Sequence, residues 1–259
     1  MSKHIYFVSD VHLGAPSPER SLTREKHLVK WLESIREKAS AIYILGDLFD
    51  FWFEYKHAVP KGYVRLLGTL ASMADQGIDI HIFSGNHDLW YKDYLEKEVG
   101  ANLHFKPHRA SFFGKKYYMA HGDGLGPGDH GYKLMKKVVT HPSMKWLFSR
   151  LHPNFGIGLA LGVSKHGGNH DYEHKDNGDW RYQLHPATEA HVLEVLEEEE
   201  FDYLIFGHRH ALVRKKVTDV AEAFVLGDWI MFFSYLEISP DGPELKQFPL
   251  EEKEKAKES

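Results

Sequence analysis

The chain contains no cysteine. Disulfides, thiolate catalysis and cysteine-ligated zinc or iron–sulfur centres are therefore excluded. Nor is there an excess of positive charge. The 32 Lys and Arg residues against 37 Asp and Glu leave a net charge of −5, a poor balance for generic nucleic-acid binding, and no nucleic-acid partner is expected. Long apolar runs are missing as well. The segment around 157–163 is broken by Arg150, Pro153 and glycines, and 223–238 is interrupted by Asp228 and Glu237. Neither reaches the roughly 20 apolar residues that span a bilayer. The first residues meet Asp10 too soon for the core of a secretion signal. These absences lead to the expectation of a cytoplasmic protein, with transient peripheral contact at the inner face of the cell membrane still compatible.

What the chain has is apolar mass and histidine. Its 259 residues are 42% hydrophobic and 14% aromatic, enough to bury a core without cross-links. Histidine occurs 19 times, and the placement of these residues carries the functional reading.

Residues 5–8 form a β-branched and aromatic run closed by Ser9-Asp10, which predicts a buried strand. Between 19 and 39, Leu28, Trp31, Leu32 and Ile35 fall at the spacing of an amphipathic helix. A second strand is expected at 41–45, a second helix at 63–75 and a third strand at 80–83. Strands alternating with helices predict a parallel sheet whose ligands bind beyond the carboxyl ends of its strands. A hairpin is expected at 111–120, a helix at 186–200 with Val192, Leu193, Val195 and Leu196 on one face, and a strand at 203–206. Further strands near 212–217, 223–226 and 229–238 are expected to complete a second sheet. Residues 130–180 break the rhythm and read as a helical insertion or lid.

Five clusters follow short apolar runs: Asp10-Val11-His12, Gly46-Asp47, Gly85-Asn86-His87-Asp88, His121-Gly122-Asp123 and Gly207-His208-Arg209-His210. Singly, each reads as a turn or a hydrogen-bonded loop residue. Together, Asp10, His12, Asp47, Asn86, His121, His208 and His210 supply imidazole, carboxylate and amide donors. That set suits Mn²⁺, Fe²⁺ or Zn²⁺ better than Ca²⁺ or Mg²⁺. Seven donors exceed the needs of one ion and suit two. Two ions about 3.5–4 Å apart can clamp a phosphoryl oxygen, so the chemistry indicated is hydrolysis of a phosphate ester or anhydride.

In this order the motifs resemble those of the calcineurin-like metallophosphoesterase family, over residues 10–210. The resemblance implies a mixed α/β and α+β fold, a four-layer αββα sandwich, occupying 1–250. It would carry the insertion at about 130–180 and a charged tail at 251–259. It further implies that one metal takes Asp10, His12, Asp47 and His210. The other would take Asp47, Asn86, His121 and His208, with Asp47 bridging. Manganese is the metal expected.

Finer details resemble one branch, the UDP-2,3-diacylglucosamine pyrophosphatases of lipid A biosynthesis. They are Ser9-Asp10-Val11-His12-Leu13-Gly14, Leu45-Gly46-Asp47-Leu48-Phe49-Asp50-Phe51-Trp52, His121-Gly122-Asp123-Gly124-Leu125 followed by Asp129 and Tyr132, and Leu226-Gly227-Asp228-Trp229. The branch implies a lipid-linked nucleotide sugar as substrate, cleaved to UMP and a lipid monophosphate. Trp146, Leu147, Phe148, Leu151, Phe155, Ile157 and Leu159 are then expected to line an acyl-chain groove or to pack the insertion onto the core. Substrate contacts are expected from Asn86, His87, Asp129, His208, Ser164 and Lys165. The chain departs from the best-known members of this branch at His87, where they carry Arg. Gly-Asn-His-Asp is the pattern of the wider superfamily, in which His87 would contact the phosphate or protonate the leaving oxygen with Asp88 orienting it. This departure keeps open an alternative, a broader phosphodiesterase or phosphomonoesterase. A non-catalytic scaffold is opposed by the presence of all seven donors. The acidic run 197–200 and Arg214-Lys215-Lys216 read as solvated surface.

Overall fold

The computed structural model describes residues 3–126, 128, 130–172 and 180–250, with the side chains of 163–172 and 180 left aside. Two mixed sheets face each other. The first has the order β11-β10-β1-β2-β3-β4, with β1 His4–Val8, β2 Ala39–Ile44, β3 Asp79–Phe83, β4 Asn102–His104, β10 Ser234–Ser239 and β11 Gly242–Gln247. The second has the order β5-β6-β7-β9-β8, with β5 His108–Phe112, β6 Lys115–Ala120, β7 Tyr203–Phe206, β8 Leu212–Lys216 and β9 Glu222–Leu226. Strands β1 to β4 run parallel, as do β6, β7 and β9.

The layers follow from the two-residue period of a strand. In β1, Ile5 and Phe7 point between the sheets while Tyr6 and Val8 point outward. In β2, Ala41 and Tyr43 go inward and Ile42 and Ile44 outward. The outer face of the first sheet is covered by α1 Pro18–Ile35, α2 Val64–Asp75 and α3 Tyr94–Val99. On the second sheet, Tyr118, Leu204 and Phe206 face α7 Pro186–Glu198 through Val192 and Val195. Three apolar clusters in series thus give the αββα sandwich. Ser17 caps α1, its hydroxyl accepting from the Arg20 amide at 3.3 Å, and Pro18 opens the helix.

Four details depart from the sequence expectations. The helix expected to reach 39 ends at Ile35, because Ala39 already belongs to β2. On α7, Leu193 is exposed rather than on the buried face. The segment 229–238 does not extend the second sheet. Asp228 Oδ1 accepts from the amides of Ile230, Met231 and Phe232 and turns the chain, so that β10 starts at Ser234 and pairs with β1 in the first sheet. The short elements α3, β4 and β11 carry too few periodic residues to be read from the sequence.

The insertion comprises α4 His130–Val139, α5 Pro142–Phe148 and α6 Pro153–Tyr172. Phe148 anchors it, packing on Phe51, Phe53 and Trp90 with ring centroids 6.0, 4.8 and 4.7 Å away. The insertion therefore sits over the loops that follow β2 and β3. The tail 251–259 lies outside the described residues.

Glu237 ties the first sheet together. Its carboxylate faces His4 Nδ1 at 2.5 Å and accepts from the Tyr6 hydroxyl at 2.9 Å and from Lys246 Nζ at 2.7 Å. Burial alone would raise its pKa, but Lys246, His4 and Tyr6 hold it at about 2. A depressed carboxylate stabilises the fold above its unfolded value, and that contribution fades as pH falls toward the folded one. Glu237→Gln is therefore expected to lower stability most at neutral pH. Urea unfolding should show its deficit against the parent shrinking from pH 6 to pH 2.5, whereas a constant deficit would exclude the ion pair as the cause.

Candidate metal centre

At the ends of β1, β2 and β7 the backbone does something unusual. Asp10, His12, Asp47, His208 and His210 have φ values of 55°, 48°, 51°, 68° and 48°. Non-glycine residues seldom adopt this left-handed region, and each such residue costs on the order of 1 kcal/mol. Five of the eight described non-glycine residues with positive φ are thus candidate ligands. Strain gathered at one point marks a place where side-chain direction outweighs local stability. Gly85 and Gly207 permit the crowding. A β-carbon at Gly85 would overlap the Asp47 carboxylate, and one at Gly207 would overlap Ser9 and Asp10.

All seven predicted donors converge. Asp47 Oδ2 lies 3.4 Å from His121 Nε2 and 3.7 Å from His12 Nε2. Asp10 Oδ1 lies 3.8 Å from His12 Nε2 and 3.7 Å from His210 Nε2. The amide oxygen of Asn86 is 3.1 Å from His121 Nε2 and 2.8 Å from His208 Nδ1. Separations of 3.4–3.8 Å are too long for hydrogen bonds. They approach the spacing of about 3.4 Å between donors that share one ion at roughly 2.1 Å. Two donor sets result, Asp10/His12/Asp47/His210 and Asp47/Asn86/His121/His208, with Asp47 common to both.

The residues fit a pair of divalent ions on a second ground. Asp10 Oδ1 and His12 Nε2 are buried without a hydrogen-bond partner. A carboxylate oxygen and an imidazole nitrogen left so are costly unless an ion satisfies them.

Outer contacts aim the ligands. Asp10 Oδ2 accepts from the His208 amide at 2.8 Å, and Asp47 Oδ1 accepts from the His87 amide at 2.8 Å. Nδ1 of His121 lies 2.7 Å from the Leu45 carbonyl, so it carries the proton and leaves the Nε2 lone pair to an ion. His210 Nδ1 is 3.1 Å from Asp228 Oδ2, the carboxylate–imidazole arrangement that orients metal ligands.

His87 stands beside this set, its ring edge-on to His12 with centroids 4.7 Å apart. The expectation that Asp88 orients it is corrected by the geometry. Asp88 is wholly buried and accepts from the Gly85 amide at 2.7 Å, the Phe49 amide at 3.2 Å and the Tyr91 hydroxyl at 2.5 Å. It staples the loop, and burial together with the charge of Asp47 raises its pKa to about 6. The carboxylate facing the His87 ring is Asp50, 3.3 Å from Nδ1. Asp50 also lies 3.6 Å from His12 Nδ1. Asp50 and Asp228 had not been assigned roles from the sequence. The only signals were the Gly-Asp-x-x-Asp spacing after β2 and the late Gly-Asp at 227–228. Of the remaining expected contacts, Asp129 and the side chains of Ser164 and Lys165 lie outside the described residues.

The electrostatics are those of a cation site. Burial would lower the pKa values of His12 and His121, but the surrounding carboxylates outweigh it and raise both to about 10. Burial and the neighbouring His121 instead lower His208 to about 4. Asp10 and Asp47 are held below the ordinary carboxylate range against burial, chiefly by His210 and His121 respectively. The negative charge that draws protons onto His12 and His121 draws divalent ions too, so the two compete.

This arrangement, two donor sets sharing a carboxylate at the strand ends of an αββα sandwich, defines a metal-dependent phosphoester or phosphoanhydride hydrolase. The chain matches the calcineurin-like phosphoesterase family over residues 3–212 and belongs to it. Among its relatives, the UDP-2,3-diacylglucosamine hydrolase of Porphyromonas gingivalis is 38% identical over 91% of this chain and 94% of that protein. The enzymes of that name from Aeromonas salmonicida and Haemophilus influenzae are 29% and 28% identical, over 93% and 88% of this chain and 92% and 91% of theirs.

Two outcomes are expected. Asp47→Ala should remove both ions together and nearly all turnover, while His210→Ala should weaken chiefly one; metal analysis after dialysis distinguishes them. Mn²⁺ binding should also release protons and tighten as pH rises from 5.5 to 8, which calorimetry in buffers of different ionisation enthalpy would detect.

Proposed function

We propose that this chain hydrolyses the pyrophosphate linkage of UDP-2,3-diacylglucosamine to UMP and 2,3-diacylglucosamine 1-phosphate, a step of lipid A biosynthesis. The observation that carries the chemistry is the Asp47 carboxylate shared between two donor sets. The likeness to the Porphyromonas gingivalis enzyme over nearly the whole of both chains supports the substrate.

Asp10, His12, Asp47 and His210 would hold one divalent ion, and Asp47, Asn86, His121 and His208 the other. The mixed nitrogen and oxygen donors favour Mn²⁺. When bound, the ions supply Lewis acidity at the phosphoryl oxygens. Water adds across the P–O–P linkage: one phosphorus gains the hydroxyl, and the other departs with the bridging oxygen, which takes up a proton. His87 is placed to deliver that proton. Asp50 engages its Nδ1, which leaves Nε2 for a substrate oxygen, and the charges of Asp47 and Asp50 raise its pKa against burial. Asn86 and His208 are the further substrate contacts in this reading, with Asp129, Ser164 and Lys165 as contacts from the insertion side.

The insertion supports a lipid substrate. Trp146, Leu147, Phe155 and Leu159 are each at least half exposed, as is Leu134 on α4. Among the described residues, eight of the sixteen exposed large apolar side chains fall between 134 and 159. Lys136, Lys137, Lys145 and Arg150 lie among them. Such a surface would receive acyl chains and would touch the inner face of the membrane in doing so. Among the described residues no helix is long and apolar enough to cross a membrane.

His87→Ala is expected to lower turnover roughly 10²–10⁴-fold, the range for a general acid, with metal content unchanged. Equal loss in His87→Gln would indicate proton transfer, whereas recovery there would indicate simple phosphate contact. Full activity in both would remove the role. Trp146→Ser with Phe155→Ser should raise KM for the diacylated substrate roughly tenfold, given about 25 cal/mol per Å² of apolar burial. Hydrolysis of a small chromogenic phosphodiester should not change. If neither substrate is affected, the lipid reading fails and the broader phosphodiesterase reading takes its place.

A further inference from the structure

The loop that delivers Asp10 and His12 leaves β1 with two left-handed residues, and its residues 10–13 are buried. Buried carbonyls need donors. The Leu13 carbonyl accepts from the Asp50 amide at 2.9 Å and from the Tyr63 hydroxyl at 3.2 Å. The carbonyls of Val11, His12 and Ala15 converge on Nη1 of Arg24, at 3.0, 3.0 and 3.3 Å, the His12 carbonyl also accepting from the Ala15 amide at 3.3 Å. Arg24 lies on α1 and is only 2% exposed. A second α1 residue, Ser21, receives the Gly14 amide on its hydroxyl at 2.8 Å. The first turns of α1 therefore grip the loop through both its donors and its acceptors.

The geometry points to Arg24 as the positioning residue of the metal set Asp10/His12/Asp47/His210. The cation neutralises three carbonyl dipoles gathered by the strained turn, and so holds His12 where its Nε2 faces Asp10 Oδ1 and Asp47 Oδ2. The other set, Asn86/His121/His208, is carried by the loops after β3, β6 and β7 and is held instead by the Leu45 carbonyl and by its own Asn86 amide oxygen. An Arg near a cation site opposes the ion by charge alone. Its presence is explained only if the backbone geometry it secures is worth more than that repulsion.

Selective damage to one of two sites is therefore the expected signature. In Arg24→Met, Mn²⁺ titration by calorimetry should show one step near the parent affinity and one weakened roughly 10–100-fold, the loss typical of removing an outer-shell partner. At two equivalents of Mn²⁺ the electron paramagnetic resonance spectrum should change from that of a coupled pair toward an isolated ion. Arg24→Lys, which keeps a cation with several donors, should recover part of the lost affinity. Parent affinity at both sites would overturn the assignment, as would tighter binding, which would mean that charge repulsion dominates. Equal weakening of both sites would indicate general structural damage and would also overturn it. Arg24→Gln is read in the same way should the Met variant fail to fold.

Discussion

A single carboxylate, that of Asp47, joins the two halves of this site. It is buried at the seam between two sheets, within 4 Å of imidazoles from the loop after β1 and from the end of β6. A lone negative charge in such a place would be expelled or protonated. It persists because histidines surround it, and because it completes donor sets on both sides. Much else in the structure follows from accommodating it: the glycine at 85 that makes room, the left-handed backbone at Asp47 itself, and the amide of His87 that fixes its second oxygen.

The sandwich makes this arrangement affordable. Parallel strands deliver their carboxyl ends to one edge, and the three apolar layers hold that edge rigid. Candidate donors from the first sheet, Asp10, His12, Asp47 and Asn86, meet His121, His208 and His210 from the second. Local strain of about 1 kcal/mol at each of five positions is tolerable against a core that buries Trp31, Trp52 and Trp229 completely. The insertion is built differently. Its helices α4 and α5 bury no residue fully, and they rest on the loops after β2 and β3 through Phe148 and through polar anchors. Among these are the Trp90 indole donating to the Val139 carbonyl and Lys136 paired with Asp123. An element that keeps apolar surface exposed beside a polar centre is suited to a substrate with both characters.

The convergence of the seven candidate donors was legible because each sits directly after a short apolar run, so that sequence order maps onto one sheet edge. The strands and the two sheets were legible from apolar runs alternating with helical patterns, and the four-layer sandwich from the family resemblance. The residues that act on the ligands were not. Arg24 looks like any polar position on an amphipathic helix, and only the carbonyls it receives reveal it. The superfamily pattern Gly-Asn-His-Asp points to Asp88 as the partner of His87 and carries no record of Asp50. The fold instead turns Asp88 into the core to cap Gly85 and Phe49, and brings Asp50, 37 residues away in the chain, to the ring of His87. The crossing of β10 to the first sheet was hidden for a similar reason: the turn depends on Asp228 collecting three amides, and no periodicity records that.

The account is tested most directly by incubating the Mn²⁺-loaded protein with UDP-2,3-diacylglucosamine and following both products by mass spectrometry. UMP and 2,3-diacylglucosamine 1-phosphate should form in equal amounts, and removal of the metal by a chelator should stop both. If the intact substrate persists while the same preparation cleaves a small phosphodiester, the metal centre would stand and the assignment of this substrate would be contradicted.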